Sequence, residues 1–178
     1  LPRKMITYQR LRELVEYDPA SGKFSWRKVR ANRSPDNSLG WISWNGYCCF
    51  SIERRIYRAH RLAWLYMTGQ WPKEDIDHKN GERADNRWEN LREATRGQNL
   101  ANKRMDSRNT SGFKGVSWSR KCRKWQSHIK VNRKSMLLGF FETKEEAHAA
   151  YCNAADLHFG EFARPETPKE NADGMATR

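Results

Sequence analysis

The sequence runs to 178 residues, with 34 Lys and Arg against 21 Asp and Glu and a formal net charge of +13. Its pI is near 9.9 and its mean hydropathy −1.03. That length allows one ordinary domain or two or three small ones, and so large a cationic excess points to a polyanionic partner, nucleic acid before membrane. No apolar run reaches the length of a membrane span and no signal-peptide pattern opens the chain, which starts at Leu1 rather than Met as a trimmed numbering would. Cys48, Cys49, Cys122 and Cys152 lack Cys-x-x-Cys spacing. Reduced, partly buried thiols in a cytosolic protein are therefore expected, with neither a zinc site nor a disulfide framework.

Thr7 caps a first helix, with Ile6 and Leu11 as its staple and Leu11, Leu14 and Val15 on one face, and Asp18-Pro19 ends it. Ser21-Gly22 leads into a strand where Phe24 and Trp26 alternate with polar residues, and a basic loop covers 30–39. Runs 41–44 and 47–52 flank Asn45-Gly46, a two-residue hairpin signal, and a turn at Glu53-Arg54 leads to a further strand at 56–58. A helix over 59–68 is apolar at Leu62, Ala63, Leu65 and Tyr66 and stops at Gly69, with His60 near its start as a packed or capping residue rather than a ligand. With eight Trp in the chain, small cores built on a few large aromatics are expected.

The stretch D-I-D-H-K-N-G-E-R-A-D-N-R-W-E-N-L-R-E-A-T-R-G-Q-N-L-A-N-K-R, residues 75–104, carries the chemistry. It sets Asp77 beside His78, Asn90 twelve residues after His78, and Asn99 nine residues after Asn90. An imidazole deprotonates water near neutral pH, and a carboxylate with an amide oxygen suits Mg²⁺, which leaves positions open for water and phosphate. Local signals give strand 75–78, a turn at Asn80-Gly81, strand 91–94, and a helix 96–104 opened by Thr95-x-x-Gln98. Asn90 in the loop is able to hold the first strand by hydrogen bonds to backbone. Taken alone, Asn80, Asn86 and Asn90 could equally serve turns.

With these residues in order, the chain resembles the His-Asn-His (HNH) endonucleases of ββα-metal fold, in the branch of phage and intron homing enzymes, where Asn often stands for the final His. The match takes in Ala59-His60-Arg61-Leu62-Ala63-Trp64 and covers residues 17–104. The resemblance implies His78 as general base, Asp77 and Asn99 as ligands of one Mg²⁺ (Mn²⁺ able to substitute), and Asn90 as structural brace. The half before the motif corresponds to the β-meander and helix of the phage enzymes, which support the motif and contact DNA backbone.

Residues 102–112 are polar and basic and read as a linker. Three strands follow, 114–119, 124–131 and 135–141, with basic turns between them. Thr143 with Glu146 opens a helix to about His158, with Ala147, Ala150, Tyr151, Ala154 and Leu157 on one face and His148 and His158 at the surface. The words S-G-F-K-G-V-S-W, K-W-Q-S-H-I-K, L-L-G-F-F-E-T-K-E-E-A-H-A-A-Y and F-G-E-F-A resemble the Apetala/ethylene-response-factor DNA-binding domain over 111–165. That resemblance implies a sheet laid in the major groove. If Val116, Trp125 and Ile129 pack on the helix, alternation turns Ser117, Ser119, Gln126, His128 and Lys130 outward, joined by Arg120, Arg123, Lys124, Arg133 and Lys134 as DNA contacts. Ser117 and Ser119 stand where the family has arginines, so its target sequence does not transfer.

The expected protein is α+β: a small β-meander and helix lead into a ββα-metal motif, followed by a three-stranded sheet packed on one helix. Its expected parts are a nuclease domain 1–104 (core motif 75–104), a linker 105–111, a reader 112–165 and a loose tail 166–178. It would act as a monomer on double-stranded DNA, off the membrane, in the cytoplasm of a host cell if phage-encoded. A non-cleaving DNA-binding regulator is the rival reading, and an RNA-binding protein fits the charge but neither motif.

Overall fold

The computed structural model describes residues 5–28, 40–106 and 108–164; the basic loop 30–39 and the tail 166–178 lie outside them. The chain forms two compact units, Leu1–Arg96 and Gly97–Arg178.

In the first unit, α1 (Tyr8–Leu14) is capped by Thr7, whose hydroxyl accepts from the Arg10 N–H at 3.2 Å. It stops earlier than the sequence implies. Val15–Asp18 is strand β1, paired antiparallel with β2 (Lys23–Trp26) from Val15↔Trp26 to Asp18↔Lys23. The period-two pattern overrides the helical one here: Val15 and Tyr17 are buried while Glu16 and Asp18 face out. Strands β3 (Trp41–Ile42), β4 (Cys48–Ile52) and β5 (Arg55–Arg58) form an antiparallel meander. Its first connection is longer than a two-residue turn. Ser43 N–H donates to Tyr47 O and Gly46 N–H to Ser43 O, both at 2.8 Å, with Gly46 left-handed at φ 81°, as in a bulged three-residue hairpin. The second is a tight turn with both Glu53 and Arg54 at positive φ.

Helix α2 (Ala59–Thr68) ends at Gly69 and buries Ala59, Leu62, Ala63, Leu65 and Tyr66, the i, i+3, i+4 spacing that packs one face. Against it lie Leu11, Val15, Phe24, Phe50, Ile52, Ile76 and Leu91. Each such side chain taken from water stabilises the unit by roughly 1.5–3 kcal/mol. Strand β6 (Asp75–His78) pairs with β7 (Leu91–Ala94), Asp77 opposite Arg92 and His78 opposite Leu91. A 3-10 turn, Trp88–Asn90, leads into β7.

Helix α3 (Arg96–Ala101), which belongs to the second unit from Gly97 on, is shorter than expected. The Lys114 ammonium takes the carbonyls of Ala101 and Lys103, both at 2.6 Å, and so ties down the chain beyond the helix. Strands β8 (Val116–Ser119), β9 (Lys124–Val131) and β10 (Lys134–Phe141) form an antiparallel sheet in the order β10-β9-β8. Helix α4 (Lys144–Phe159) opens with a complete Thr143/Glu146 capping box and lies on this sheet. Its buried residues are Ala147, His148, Tyr151 and Ala155, so its inner face is turned from the expected one. Leu157 is 82% exposed, and His148 is buried rather than on the surface. Gly115 explains the seating of the helix, because a Cβ there would collide with the Tyr151 ring. His148 is satisfied inside, Nδ1 3.3 Å from Lys114 O and Nε2 3.4 Å from Cys152 Sγ. His158 is exposed, as expected.

Candidate active site

Strand β6 delivers two buried polar side chains in succession, Asp77 and His78, each 4% exposed. Asp77 Oδ2 accepts from Arg92 Nε at 2.9 Å, across the hairpin register that makes the two residues partners. Arg92 is itself largely covered, so the two form a mostly buried ion pair. His78 Nε2 lies 3.4 Å from Asn86 Oδ1. Its ring also meets His60 edge-on, centroids 5.0 Å apart at 82°, and Tyr47 at 6.1 Å.

Burial depresses the His78 pKa, opposed by the Asn86 contact and the Asp77 and Asp85 charges and reinforced by Arg83. Burial thus favours the neutral imidazole, the form able to accept a proton. His60 is held further down, by burial first and then by His78, Arg58 and Arg61. Its Nδ1 is buried without a hydrogen-bond partner, an arrangement that costs about 1–3 kcal/mol.

The loop between β6 and β7 is built to hold these groups. Asn90 spans it, Oδ1 accepting from Asn80 N–H at 3.0 Å and Nδ2 donating to Asp85 O at 2.8 Å, while Asn90 O accepts from Lys79 N–H at 2.9 Å. Asp85 accepts from Asn80 Nδ2 and from Arg87, whose guanidinium is the main reason its carboxyl falls to about 2. The β1–β2 hairpin fixes the position of Asn86: the Tyr17 hydroxyl donates to Asn86 O at 2.7 Å and Trp88 N–H donates to Pro19 O at 2.9 Å. A Cβ at Gly22 would strike the Asn86–Arg87 backbone, so this approach requires glycine. Tyr17, buried there, has its phenol pushed up chiefly by desolvation.

Of the residues singled out from sequence, Asp77, His78 and Asn90 belong to the first unit, and Asn99 lies on α3, half-buried, in the second. Asn86, Arg92, Tyr47 and Tyr17 were missed. Arg92 was within reach, because pairing 75–78 with 91–94 end to end sets it opposite Asp77. Asn86 had only the look of a turn residue, and the other two announce themselves only through the tertiary fold.

As for a metal, no group of three or more His, Cys, Asp and Glu is close enough to form a cage among the described residues.

Residues 57–101 match the family model described as HNH endonuclease. Protein 3.8 of Escherichia phage T7 is 32% identical over 108 residues, which cover 60% of this chain and 88% of that protein. The chain belongs to the HNH endonuclease family. Members are phosphodiester hydrolases that generally use a divalent metal. No solved structure matches this HNH protein. The family match spans β5 through α3, and so takes in His60, Asp77, His78, Asn86, Asn90 and Asn99 together.

The positions expected to contact DNA lie on the second unit. Ser117 and Ser119 are on β8, Arg120 and Arg123 in the turn after it, Lys124, Gln126, His128 and Lys130 on β9, Arg133 in the next turn and Lys134 at the start of β10. Alternation is as expected: Ser127 and Ile129 are buried, whereas Gln126 and His128 are half-buried and Lys130 is open. Gln126 Nε2 donates to Ser117 Oγ at 3.1 Å, and Lys124 is paired with Glu142 at 2.7 Å. No helix among the described residues is long and apolar enough to cross a membrane.

Proposed function

We propose that this HNH protein is a site-directed DNA endonuclease of the homing type, which hydrolyses a phosphodiester with one divalent metal and nicks one strand. The observation that carries the reading is a buried, neutral His78 on a strand shared with the buried carboxylate Asp77, inside the matched stretch.

His78 acts as general base. Burial keeps its ring unprotonated, and contacts with Asn86 and His60 limit its orientation, so it receives the proton of a water attacking phosphorus in line with the departing 3′-oxygen. Asp77 and Asn99 would hold the metal, Mg²⁺ with Mn²⁺ as substitute, which when bound stabilises charge on the phosphate and leaving oxygen. Asn90 braces the loop through its bonds to Asn80 and Asp85 and takes no part in proton transfer.

The nuclease domain is assigned to 1–104 and a reader of Apetala/ethylene-response-factor type to 112–165, joined by 105–111. The reader's outer sheet face, centred on Ser117, Gln126, His128 and Lys130, enters the major groove of double-stranded DNA. One Asp77-His78…Asn99 constellation addresses one phosphodiester, which fits a monomer, active in host cytoplasm.

The test is supercoiled plasmid carrying the surrounding genome, incubated with and without Mg²⁺. Open circle that accumulates before linear product, only with metal, supports the reading. DNA binding with no cleavage under any divalent ion would favour a regulator, and linear DNA formed as fast as open circle would refute nicking.

A further inference from the structure

Tyr47, in the β3–β4 turn, lies 5.2 Å from the His60 ring and 6.1 Å from the His78 ring, centroid to centroid. Two guanidiniums lie over that one phenol ring: Arg58, the residue before α2, at 4.6 Å, and Arg83, in the β6–β7 loop, at 5.1 Å. These distances place the two cations no more than about 10 Å apart, close to one Debye length at physiological salt. Like charges drawn to one ring repel each other, and among the described residues no carboxylate is paired with either. Arg83 is anchored further by donating from Nη1 to Asn45 O at 2.8 Å. Arg10, Arg87 and Arg92 of this unit sit instead on carboxylates.

A guanidinium stacked on an aromatic face loses rotational freedom but keeps its N–H edge for an anion, and that edge matches two phosphate oxygens. Arg83 also lies near enough to His78 to act on its charge. We infer that Tyr47, Arg58 and Arg83 form a phosphate clamp that seats the DNA phosphodiester beside His78, with Tyr47 as the platform and the two arginines as paired donors. The proposal rests on the nuclease reading and deepens it, by naming the residues that bring substrate to the base. Asp77 and Asn99, assigned to the metal, are separate from it.

The experiment uses the 178-residue chain carrying Arg58→Gln, Arg83→Gln, both together, or the control Arg12→Gln. Arg12 is likewise stacked on a tyrosine, 4.5 Å over Tyr66, but has no part in the clamp. Affinity for plasmid DNA across a salt series and the single-turnover cleavage rate at saturating protein are read on the same samples. The clamp predicts at least a tenfold fall in that saturated rate for the double variant and a salt slope shallower by about 1 for each arginine lost. Arg12→Gln stays within twofold of wild type. Cleavage and affinity within twofold of wild type in the double variant would overturn the clamp, and so would an equal loss in Arg12→Gln, which would reduce the effect to net charge. If the wild type binds DNA but cuts none, the nuclease reading fails by itself. The clamp then stands or falls on affinity alone: loss in the double variant and not in Arg12→Gln supports it, and equal affinities overturn it.

Discussion

The surroundings of His78 and the outer sheet face around Gln126 and Lys130 handle polar residues in opposite ways. In the first unit, His60, Asp77, His78, Asn86 and Asn90 are at most 5% exposed, and backbone, amide, guanidinium or ring contacts hold them. In the second, the polar residues named for DNA are half-buried or open, and strand alternation turns Gln126, His128 and Lys130 to one face. Proton transfer needs a group of fixed orientation and shifted pKa, so the chain accepts the cost of burying polar atoms there. A surface that tracks phosphates needs accessible charge and little else. On the proposed roles, single substitutions in the first region should stop chemistry and those in the second should erode affinity.

The sharpest break between the two comes from His78→Ala. Loss of the proposed base should lower single-turnover cleavage by ~10²–10⁴-fold while the dissociation constant for DNA stays within a few-fold. Parallel quench and binding measurements check it, and equal falls in both would erase the distinction. On the other face, Lys130→Ala with Lys134→Ala should leave the saturated cleavage rate unchanged but weaken binding. The slope of log affinity against log salt should become shallower by about 0.9 for each phosphate contact removed. A changed slope from His78→Ala, or an unchanged one from the lysine pair, would go against the assignment.

Smaller effects sharpen the same contrast in stability. Asn90→Ala leaves Asn80 N–H and Asp85 O unpaired beside the loop, and should cost about 1–3 kcal/mol in a denaturant melt without changing the metal concentration for half-maximal activity. His60→Phe removes a buried, unpartnered nitrogen and should raise stability by ~1 kcal/mol. It should also flatten the acid side of the stability curve. The His60 pKa is depressed in the fold, so as pH falls below the ordinary 6.5 the unfolded chain binds a proton that the native chain refuses, and stability is lost toward acid. Phenylalanine has no such proton to take up. Melts at pH 7.5 and 5 should therefore differ less in His60→Phe than in wild type.

Much of this architecture was legible in the chain. Helix 59–68 with its Gly69 stop, strand 75–78 with its Asn80-Gly81 turn, and strand 124–131 all follow from short-range rules, because each is a strong periodic run with its punctuation beside it. Where two periods competed, tertiary pairing decided: Val15 continues the helical face of Leu11 but joins Trp26 in a ladder. Asn45-Gly46 misled in the same way, since its glycine serves a bulged hairpin, while the tight Asn132-Arg133 turn carries no glycine at all. On α4, the small alanines are nearly symmetric around the helix, so it was the Tyr151 ring over Gly115 that chose the inward face and took His148 with it.

At the candidate site the motif residues were readable because they are close in sequence. Their supports were not. Tyr17 reaches Asn86 across 69 positions, and Tyr47 meets His78 from a different hairpin, contacts that no local spacing encodes.

The central claim, that a buried neutral His78 removes the proton from water, is tested most directly by the pH dependence of single-turnover cleavage at saturating protein and Mg²⁺. Burial depresses the His78 pKa, so the rate should rise from acid and level off with a midpoint below the ordinary 6.5, and His78→Ala should lack that limb. A midpoint at or above 6.5, or the same profile in wild type and His78→Ala, would contradict it.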